Sequence, residues 1–191
     1  MPPGRGGAWP LSFLIESLTQ LIEILAFSPA DTPDLETLLD AAFGPARRNR
    51  TAYRLRDGVA CDPALSFVAR DAGRLVGSLQ CWPLQIRGLS GAIAPLTLLG
   101  PVVTAADRQG EGIASRLMTT ALAAIDALAA PPVLLIGDAP FYGRFGFTAD
   151  ATADWLLPGP VDRARLLLRG PATALPRVGW VEPAAPRRRA A

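Results

Sequence analysis

A glycine-rich turn joins a strand to a helix in the segment VVTAADRQGEGIA, which spans residues 102–114. Gly110 and Gly112 let the backbone come close to a ligand, because glycine has no side chain in the way. The first N–H groups of a helix are free and the helix dipole adds partial positive charge there, so anions bind well at such a turn. The segment indicates either a diphosphate site or a plain tight connection, and both interpretations stay open on local sequence alone.

The spacing of the glycines excludes two common nucleotide loops. The chain has no G-x-x-x-x-G-K-[ST] sequence and no G-x-G-x-x-G followed by an acidic residue about 20 positions later. What remains, Gln109-Gly110-Glu111-Gly112-Ile113-Ala114, resembles the Q/R-x-x-G-x-G/A motif of the GNAT (GCN5-related N-acetyltransferase) superfamily. Further on, Phe141-Tyr142-Gly143-Arg144-Phe145-Gly146-Phe147 resembles the F-Y-x-x-x-G-F signature of the same superfamily. Together with Leu99-Gly100-Pro101 and Gly137-Asp138, these motifs are similar to the bacterial YhbS-type predicted acetyltransferases.

The resemblance implies an α/β fold: a mixed, mostly antiparallel sheet of six or seven strands, flanked by helices and containing one splayed strand pair. It implies acetyl-CoA as co-substrate and no metal. The open strand before the turn would pair with pantetheine through Val102 and Thr104, as an unpaired strand edge does with an amide-bearing chain, although an ordinary interior strand is the alternative. The residues expected to bind the cofactor are Val102, Val103, Thr104, Gln109, Gly110, Glu111, Gly112, Ile113 and Ala114.

Tyr142 is the candidate catalytic residue, as hydrogen-bond donor to the departing coenzyme A sulfur. The alternative is that its ring only completes an aromatic cluster with Phe141, Phe145 and Phe147. The sequence identifies no general base. Asp138 is a candidate base acting through water, or else a cap for the turn that follows.

Composition restricts the chemistry. The 191 residues suit one domain, and 50% hydrophobic with 19% charged residues is typical of a globular chain. The chain contains no histidine, which argues against a Ser-His-Asp hydrolase and a histidine-ligated zinc site. Cys61 and Cys81 are interpreted as structural, reduced thiols, which favours the cytoplasm. The arginines at positions 47, 48 and 50 are expected to be solvated surface, so no nucleic-acid partner is predicted.

The domain limits follow from the same patterns. Residues 11–27 are apolar, but Glu16 and Glu23 interrupt them and they are too short for a membrane span of about 20 residues. We therefore predict an extension over residues 1–20, the acetyltransferase domain over 21–170, and a tail rich in proline, alanine and arginine over 171–191.

Local periodicity predicts the elements inside the domain. They are a first strand over 22–27, a helix from Asp31 to Phe43, a hairpin of two strands over 65–71 and 74–86, a strand over 97–104, a helix over 112–130 and a buried strand over 133–136. In the second of these helices Ile113, Leu117, Ala121, Ala124 and Leu128 share one face and are expected in the core.

The predicted function is transfer of an acetyl group from acetyl-CoA to a primary amine, by direct attack in a ternary complex. The alternative is a non-catalytic acyl-CoA-binding or regulatory module on the same fold, because a fold does not determine a function. The acceptor is an amine-bearing small molecule or peptide that the sequence does not specify, no membrane partner is expected, and a homodimer is a possible assembly.

Overall fold

The computed structural model describes residues 22–184, so the predicted extension over 1–20 lies outside the described residues. Its α-helices are α1 (Thr32–Phe43), α2 (Thr51–Arg54), α3 (Ile113–Ala127) and α4 (Ala139–Tyr142). Its strands are β1 (Glu23–Ala26), β2 (Phe67–Asp71), β3 (Arg74–Gly88), β4 (Ile93–Thr104), β5 (Val133–Ile136), β6 (Trp155–Leu156), β7 (Leu166–Arg169) and β8 (Gly179–Pro183).

Within residues 22–184 the eight strands form one sheet, with the path β1-β2-β3-β4-β5-β7 and with β8 pairing to both β3 and β6. All pairs are antiparallel except β4 with β5 and β6 with β8. The predicted mixed, mostly antiparallel α/β fold is therefore confirmed. The strand count exceeds the predicted six or seven because the short β6 and the C-terminal β8 also join the sheet.

The hairpin of β2 and β3 reverses over two residues, Ala72 and Gly73. Both have positive φ, 47° and 84°, which is the geometry that a two-residue hairpin needs to match the twist of its strands. The long β3 then pairs with β2 through its first half and with β8 through its second half, while β4 covers its other edge. β3 is thus the central strand of the sheet.

β4 and β5 form the predicted splayed pair. Their parallel pairing is limited to Thr97 with Val133 and Leu98 with Leu134. Beyond Leu98, β4 continues for six more residues to Thr104 with β3 as its one strand partner among the described residues. One edge of this part of β4 is therefore open.

Helices cover both faces of the sheet. Ile113, Leu117 and Ala121 of α3 are buried in a core cluster with residues of β2, β3 and β4, as their spacing predicts. Leu35 and Leu39 of α1 pack on the opposite face against a second set of buried residues, Val68, Leu75 and Val103. The prediction for Leu128 is wrong: α3 ends at Ala127, and Leu128 is 60% exposed.

The predicted boundary at residue 170 does not match the observed sheet. Gly179–Pro183 forms β8, whose register with β3 runs from Gly179 opposite Gly88 to Pro183 opposite Leu84. Val181 is buried in the core beneath this pairing. The described part of the predicted tail is therefore integral to the fold.

The expected solvation of the first arginine cluster is wrong for one member. Arg47 is only 1% exposed, because its guanidinium binds Glu36 Oε2 at 2.5 Å and Asp40 Oδ1 at 2.6 Å on α1 and also donates to the Tyr53 hydroxyl. Arg48 shares both carboxylates from the exposed side. Arg47 is a buried anchor between α1 and α2.

Both cysteines are free thiols. Cys81 is fully buried in the core, and burial raises its pKa. Cys61 is half-buried, and burial raises its pKa as well. These environments suit the structural role predicted for them. In residues 22–184, no helix has the length and apolar character required to cross a membrane.

Candidate active site

A cavity of about 750 Å³ lies where β4 and β5 diverge. One wall consists of residues 98–102 of β4, the end of β5, and Phe141 and Tyr142 at the end of α4. The opposite wall consists of the end of α1, the region around α2 and the loop over 160–165. The volume is that of a small-molecule site, and its place at a gap in the sheet gives a ligand access to unpaired backbone groups.

A bulge in β4 sets the direction of those groups. Leu99 pairs with Cys81 and Val102 with Leu79, so Gly100 and Pro101 stand together opposite one residue of β3. An inserted residue shifts the alternation of a strand by one position. Thr97, before the bulge, donates its N–H to Pro132 O on the β5 side, whereas Ala105, after it, donates to Val76 O on the β3 side.

The directions of the Thr97 and Ala105 N–H groups determine which residues between them face the open edge of β4. Since Ala105 faces β3, Val103 faces β3 too, and the N–H and C=O groups of Val102 and Thr104 face the open edge. The structure therefore places two predicted cofactor residues where an amide-bearing chain can pair with them. Thr104 Oγ1 is also buried and has no hydrogen-bond partner within residues 22–184. The backbone N–H and C=O of Val103 do not face this edge, and its side chain packs in the buried cluster beneath α1.

The glycine-rich turn follows directly. Gly110 and Gly112 have φ of 86° and 76°, and a Cβ on either would meet no atom within 4 Å. Gly112 is the N-cap of α3 and supplies no side-chain cap. No N–H group of residues 109–115 donates to another part of the chain between 22 and 184. The start of this 15-residue helix therefore has the free donors that the anion site predicted from the sequence requires.

Charged side chains frame the turn. Arg108 forms an ion pair with Asp71, and its Nη1 lies 3.4 Å from Glu111 Oε2. Glu111 therefore also pairs with Arg108. Arg144 approaches Ser115 Oγ in the first turn of α3 at 3.4 Å, and its guanidinium lies 4.6 Å from the centre of the Phe141 ring. No role was predicted for Arg144, although its place inside the aromatic signature was a signal for it.

Tyr142 lines the cavity from the end of α4. Its ring contacts Phe141 edge-on at 4.9 Å between centroids and Phe147 at 6.1 Å, so the aromatic cluster of the alternative interpretation exists. Its hydroxyl, however, has no hydrogen-bond partner among the described residues. Burial raises the pKa of Tyr142 to about 12, Arg165 opposes the rise and Asp138 adds to it. The hydroxyl is therefore protonated at neutral pH and is available to donate a hydrogen bond.

Asp138 lies at the cavity between β5 and Tyr142. Its backbone carbonyl accepts the N–H groups of Phe141 and Tyr142, each at 3.0 Å, but its side chain makes no capping hydrogen bond. The capping alternative is therefore wrong. The carboxylate is exposed, and within residues 22–184 it forms no salt bridge.

The opposite wall carries groups that sequence reasoning missed. Arg56 stacks on two aromatic rings, with its guanidinium carbon 3.6 Å from the centre of Tyr53 and 4.4 Å from that of Trp82. Arg165 lies on the far loop and its charge acts on Tyr142. Local sequence held no signal for this assembly, because three separate segments of the chain build it.

The comparisons with known proteins agree with this geometry. The sequence model of the family described as "Acetyltransferase (GNAT) domain" matches residues 23–149. The chain belongs to the GNAT acetyltransferase family. It is 28% identical over 119 residues to the uncharacterized N-acetyltransferase YjhQ of Escherichia coli K12, a match that covers 62% of this chain and 65% of YjhQ. It is 28% identical over 130 residues to the uncharacterized N-acetyltransferase YhbS of the same organism, covering 66% of this chain and 73% of YhbS.

Solved structures of GNAT proteins share the fold. The crystal structure of YhbS from Escherichia coli in complex with CoA superposes with a TM-score of 0.68 at 23% identity, over 85% of this chain and 89% of that one. A GNAT family acetyltransferase from Brucella melitensis in complex with acetyl-CoA superposes with a TM-score of 0.55 at 29% identity, over 80% of this chain and 98% of that one. The YhbS-type resemblance seen in the motifs is confirmed.

Proposed function

We propose that this GNAT chain transfers an acetyl group from acetyl-CoA to a primary amine. The open edge of β4 carries the proposal, because Val102 and Thr104 present unpaired backbone groups beside the glycine-rich turn. The turn would hold the pyrophosphate through the free amides of residues 109–115, and the β4 edge would pair with the amides of pantetheine. CoA and acetyl-CoA in the YhbS and Brucella melitensis complexes support this cofactor.

The free hydroxyl of Tyr142 would donate a hydrogen bond to the sulfur as the thioester breaks. With a pKa of about 12, this tyrosine is a weaker acid than a thiol, whose pKa is about 8.5. Full proton transfer from Tyr142 to the thiolate is therefore unfavourable, and its role is stabilisation of developing negative charge. The proton that the thiolate finally takes would come from the attacking amine.

The cavity favours direct attack over a covalent intermediate. No cysteine or serine from residues 22–184 lines it, and the chain has no histidine. The Thr51 hydroxyl donates to Pro160 O at 2.6 Å and lacks an adjacent base. Asp138 would first accept one proton of the ammonium through water. The neutral amine would then attack the thioester carbonyl, the C–S bond would break, and the second proton of the amine would go to the thiolate.

The test combines calorimetry with acetyl-CoA and a mass-spectrometric screen of amine acceptors, including amino acids, polyamines and peptides. Binding of acetyl-CoA with a stoichiometric gain of 42 Da, the mass of an acetyl group replacing a hydrogen, on one acceptor class is expected. Initial rates with both substrates varied should give intersecting lines, since a ping-pong pattern would indicate an acetyl-enzyme. Tight acetyl-CoA binding with no acetylated product would favour the acyl-CoA-binding module instead.

A further inference from the structure

The cavity wall opposite Tyr142 carries positive charge without a matching counter-ion. Arg50, Arg56 and Arg165 line it, and none of them forms a salt bridge within residues 22–184. The carboxylates that line the cavity are Asp138, at the Tyr142 end, and Asp162, which accepts the N–H of Ala164 at 3.0 Å. Positive charge thus exceeds negative charge on this wall.

Arg56 is the most specifically placed of these groups. Its guanidinium carbon lies over the rings of Tyr53 and Trp82, 3.6 Å and 4.4 Å from their centres, so stacking on aromatic rings restricts its orientation. Nη2 is buried without a hydrogen-bond partner in the described chain. Burial lowers the pKa of Arg56, yet a guanidinium remains charged in a protein. A desolvated cation with an unused donor gains most from an incoming anion.

The neighbouring carboxylates are already engaged. Glu36 and Asp40 both bind Arg47 and Arg48, and Arg47 also takes the Tyr53 hydroxyl. Arg47 therefore fixes the ring on which Arg56 stacks, and it pairs with both of these carboxylates. In the described part of the chain, Arg56 contacts two neutral rings and forms no salt bridge.

The place of Arg56 beside β4 suits contact with the end of the acceptor that is remote from its amine. Trp82, beneath Arg56, pairs with Leu98, the last residue of β4 that pairs with β5. Leu98 stands two residues before the bulge at Gly100, or about 7 Å along the strand. The open edge used for pantetheine lies on the other side of that bulge. A short acceptor could therefore present its amine near the bulge and its other end to Arg56.

We propose that the acceptor is a small amine that carries a carboxylate, which Arg56 binds through its guanidinium edge. This inference names the substrate class for the site and rests on the proposed acetyl transfer. The planar fork of arginine matches a carboxylate, and ring stacking preorganises it. The 750 Å³ cavity limits the acceptor to a small molecule or the end of a chain.

Binding tests the proposal without requiring turnover. Calorimetry on the full chain saturated with CoA would compare ω-amino acids of increasing length, from β-alanine to 6-aminohexanoate, with the corresponding ω-amino amides. The best acid should bind about 10- to 100-fold more tightly than its amide, the range expected for hydrogen bonds to a charged group. Arg56→Met should reduce this preference to less than about 2-fold, and Arg56→Lys should retain only part of it.

The control is Arg177→Met, which removes one exposed positive charge outside the cavity and should leave the preference unchanged. If Arg56→Met does not fold, the wild-type comparison and Arg56→Lys decide the question. Equal binding of acid and amide by the wild type, or a preference that survives in folded Arg56→Met, would overturn the assignment. Arg56-dependent binding without acetylation would contradict only the proposed function, whereas acetylation of amides as fast as of acids would contradict only the carboxylate site.

Discussion

The ring of Tyr142 lies directly against Gly137, in the space that a side chain at position 137 would occupy. A Cβ built on Gly137 would stand 2.6 Å from Tyr142 Cδ2 and closer still to Cε2, and 3.0 Å from Leu135 Cδ1. Gly137 follows the last residue of β5, and five positions separate it from Tyr142 at the end of α4. The absence of a side chain at the end of β5 therefore sets the position of the tyrosine in the cavity.

Gly137→Ala should lower turnover by displacing the Tyr142 ring while leaving acetyl-CoA affinity nearly unchanged. The displaced hydroxyl would no longer point at the thioester, so we expect a loss comparable to removal of the hydroxyl. The measurement is kcat for Gly137→Ala, for Tyr142→Phe and for the double variant. Strong non-additivity is expected, since both changes act on one group. Independent, additive losses would contradict a positioning role for Gly137.

Tyr142→Phe keeps the ring and its contacts with Phe141 and Phe147 and removes only the hydroxyl. Turnover should fall by roughly 10²- to 10⁴-fold, the range typical of a lost acid or hydrogen-bond donor, with acetyl-CoA affinity within about 2-fold of wild type. Rapid-quench or steady-state acetyl transfer and calorimetry measure the two quantities. Wild-type turnover in this variant would mean that Tyr142 serves the aromatic cluster alone.

The pH profile follows from the raised pKa of Tyr142. Because burial moves this pKa to about 12, the hydroxyl stays protonated throughout the neutral and mildly alkaline range. The neutral fraction of an alkylamine with a pKa of about 10.4 grows with pH, so kcat/KM should rise with pH without a falling limb below about pH 10. A falling limb near pH 8 to 9 in the wild type that vanishes in Tyr142→Phe would show a lower pKa than the structure indicates.

Gly112→Val should weaken acetyl-CoA binding, because its side chain would project into the open space over the free amides of α3. We expect at least about a 10-fold loss, as close approach of the pyrophosphate to the turn is blocked. Gly91→Val is the matched control: Gly91 has φ of 83° and equally open surroundings in the hairpin between β3 and β4, so it suffers the same backbone strain away from the cavity. Equal acetyl-CoA affinity in folded Gly112→Val and wild type would remove the turn from the cofactor site.

Deletion of residues 1–20 should leave acetyl-CoA affinity unchanged. The family match begins at residue 23, and β1 begins at Glu23, where it pairs with β2. Calorimetry and thermal melting of the shortened chain check this. A chain that no longer folds would show that the domain begins before residue 21.

Elements that depend on residues close together in the sequence could be predicted from local sequence. The β2–β3 hairpin was predictable because Ala72-Gly73 follows Asp71 between two extended runs, and α3 because its apolar residues repeat every three or four positions. The glycine-rich turn was predictable for the same reason, since its function depends on backbone that Gly110 and Gly112 leave uncovered. The splayed pair and the place of Tyr142 came from resemblance to the family.

Other features depend on contacts between distant segments. Arg47 looked like one of three surface arginines, and only the approach of α1 with Glu36 and Asp40 makes it a buried anchor. The stacking of Arg56 on Trp82 joins residues from different elements. The bulge at Gly100 and Pro101 appears only when β4 is aligned with β3, so the sequence could not show that Val103 faces away from the open edge.

The pairing of β8 with β3 has a consequence for the order of assembly. Gln85 donates to Glu182 Oε1 at 2.7 Å across 97 positions of the chain, so the second half of one edge of the central strand stays unpaired until residues 179–183 have been synthesised. Long-range pairing of this kind slows folding, and domains otherwise begin to form from their N-terminal side during synthesis. The chain therefore keeps an exposed strand edge until β8 has paired with β3, and a chain truncated before residue 179 would present that edge to a neighbouring chain.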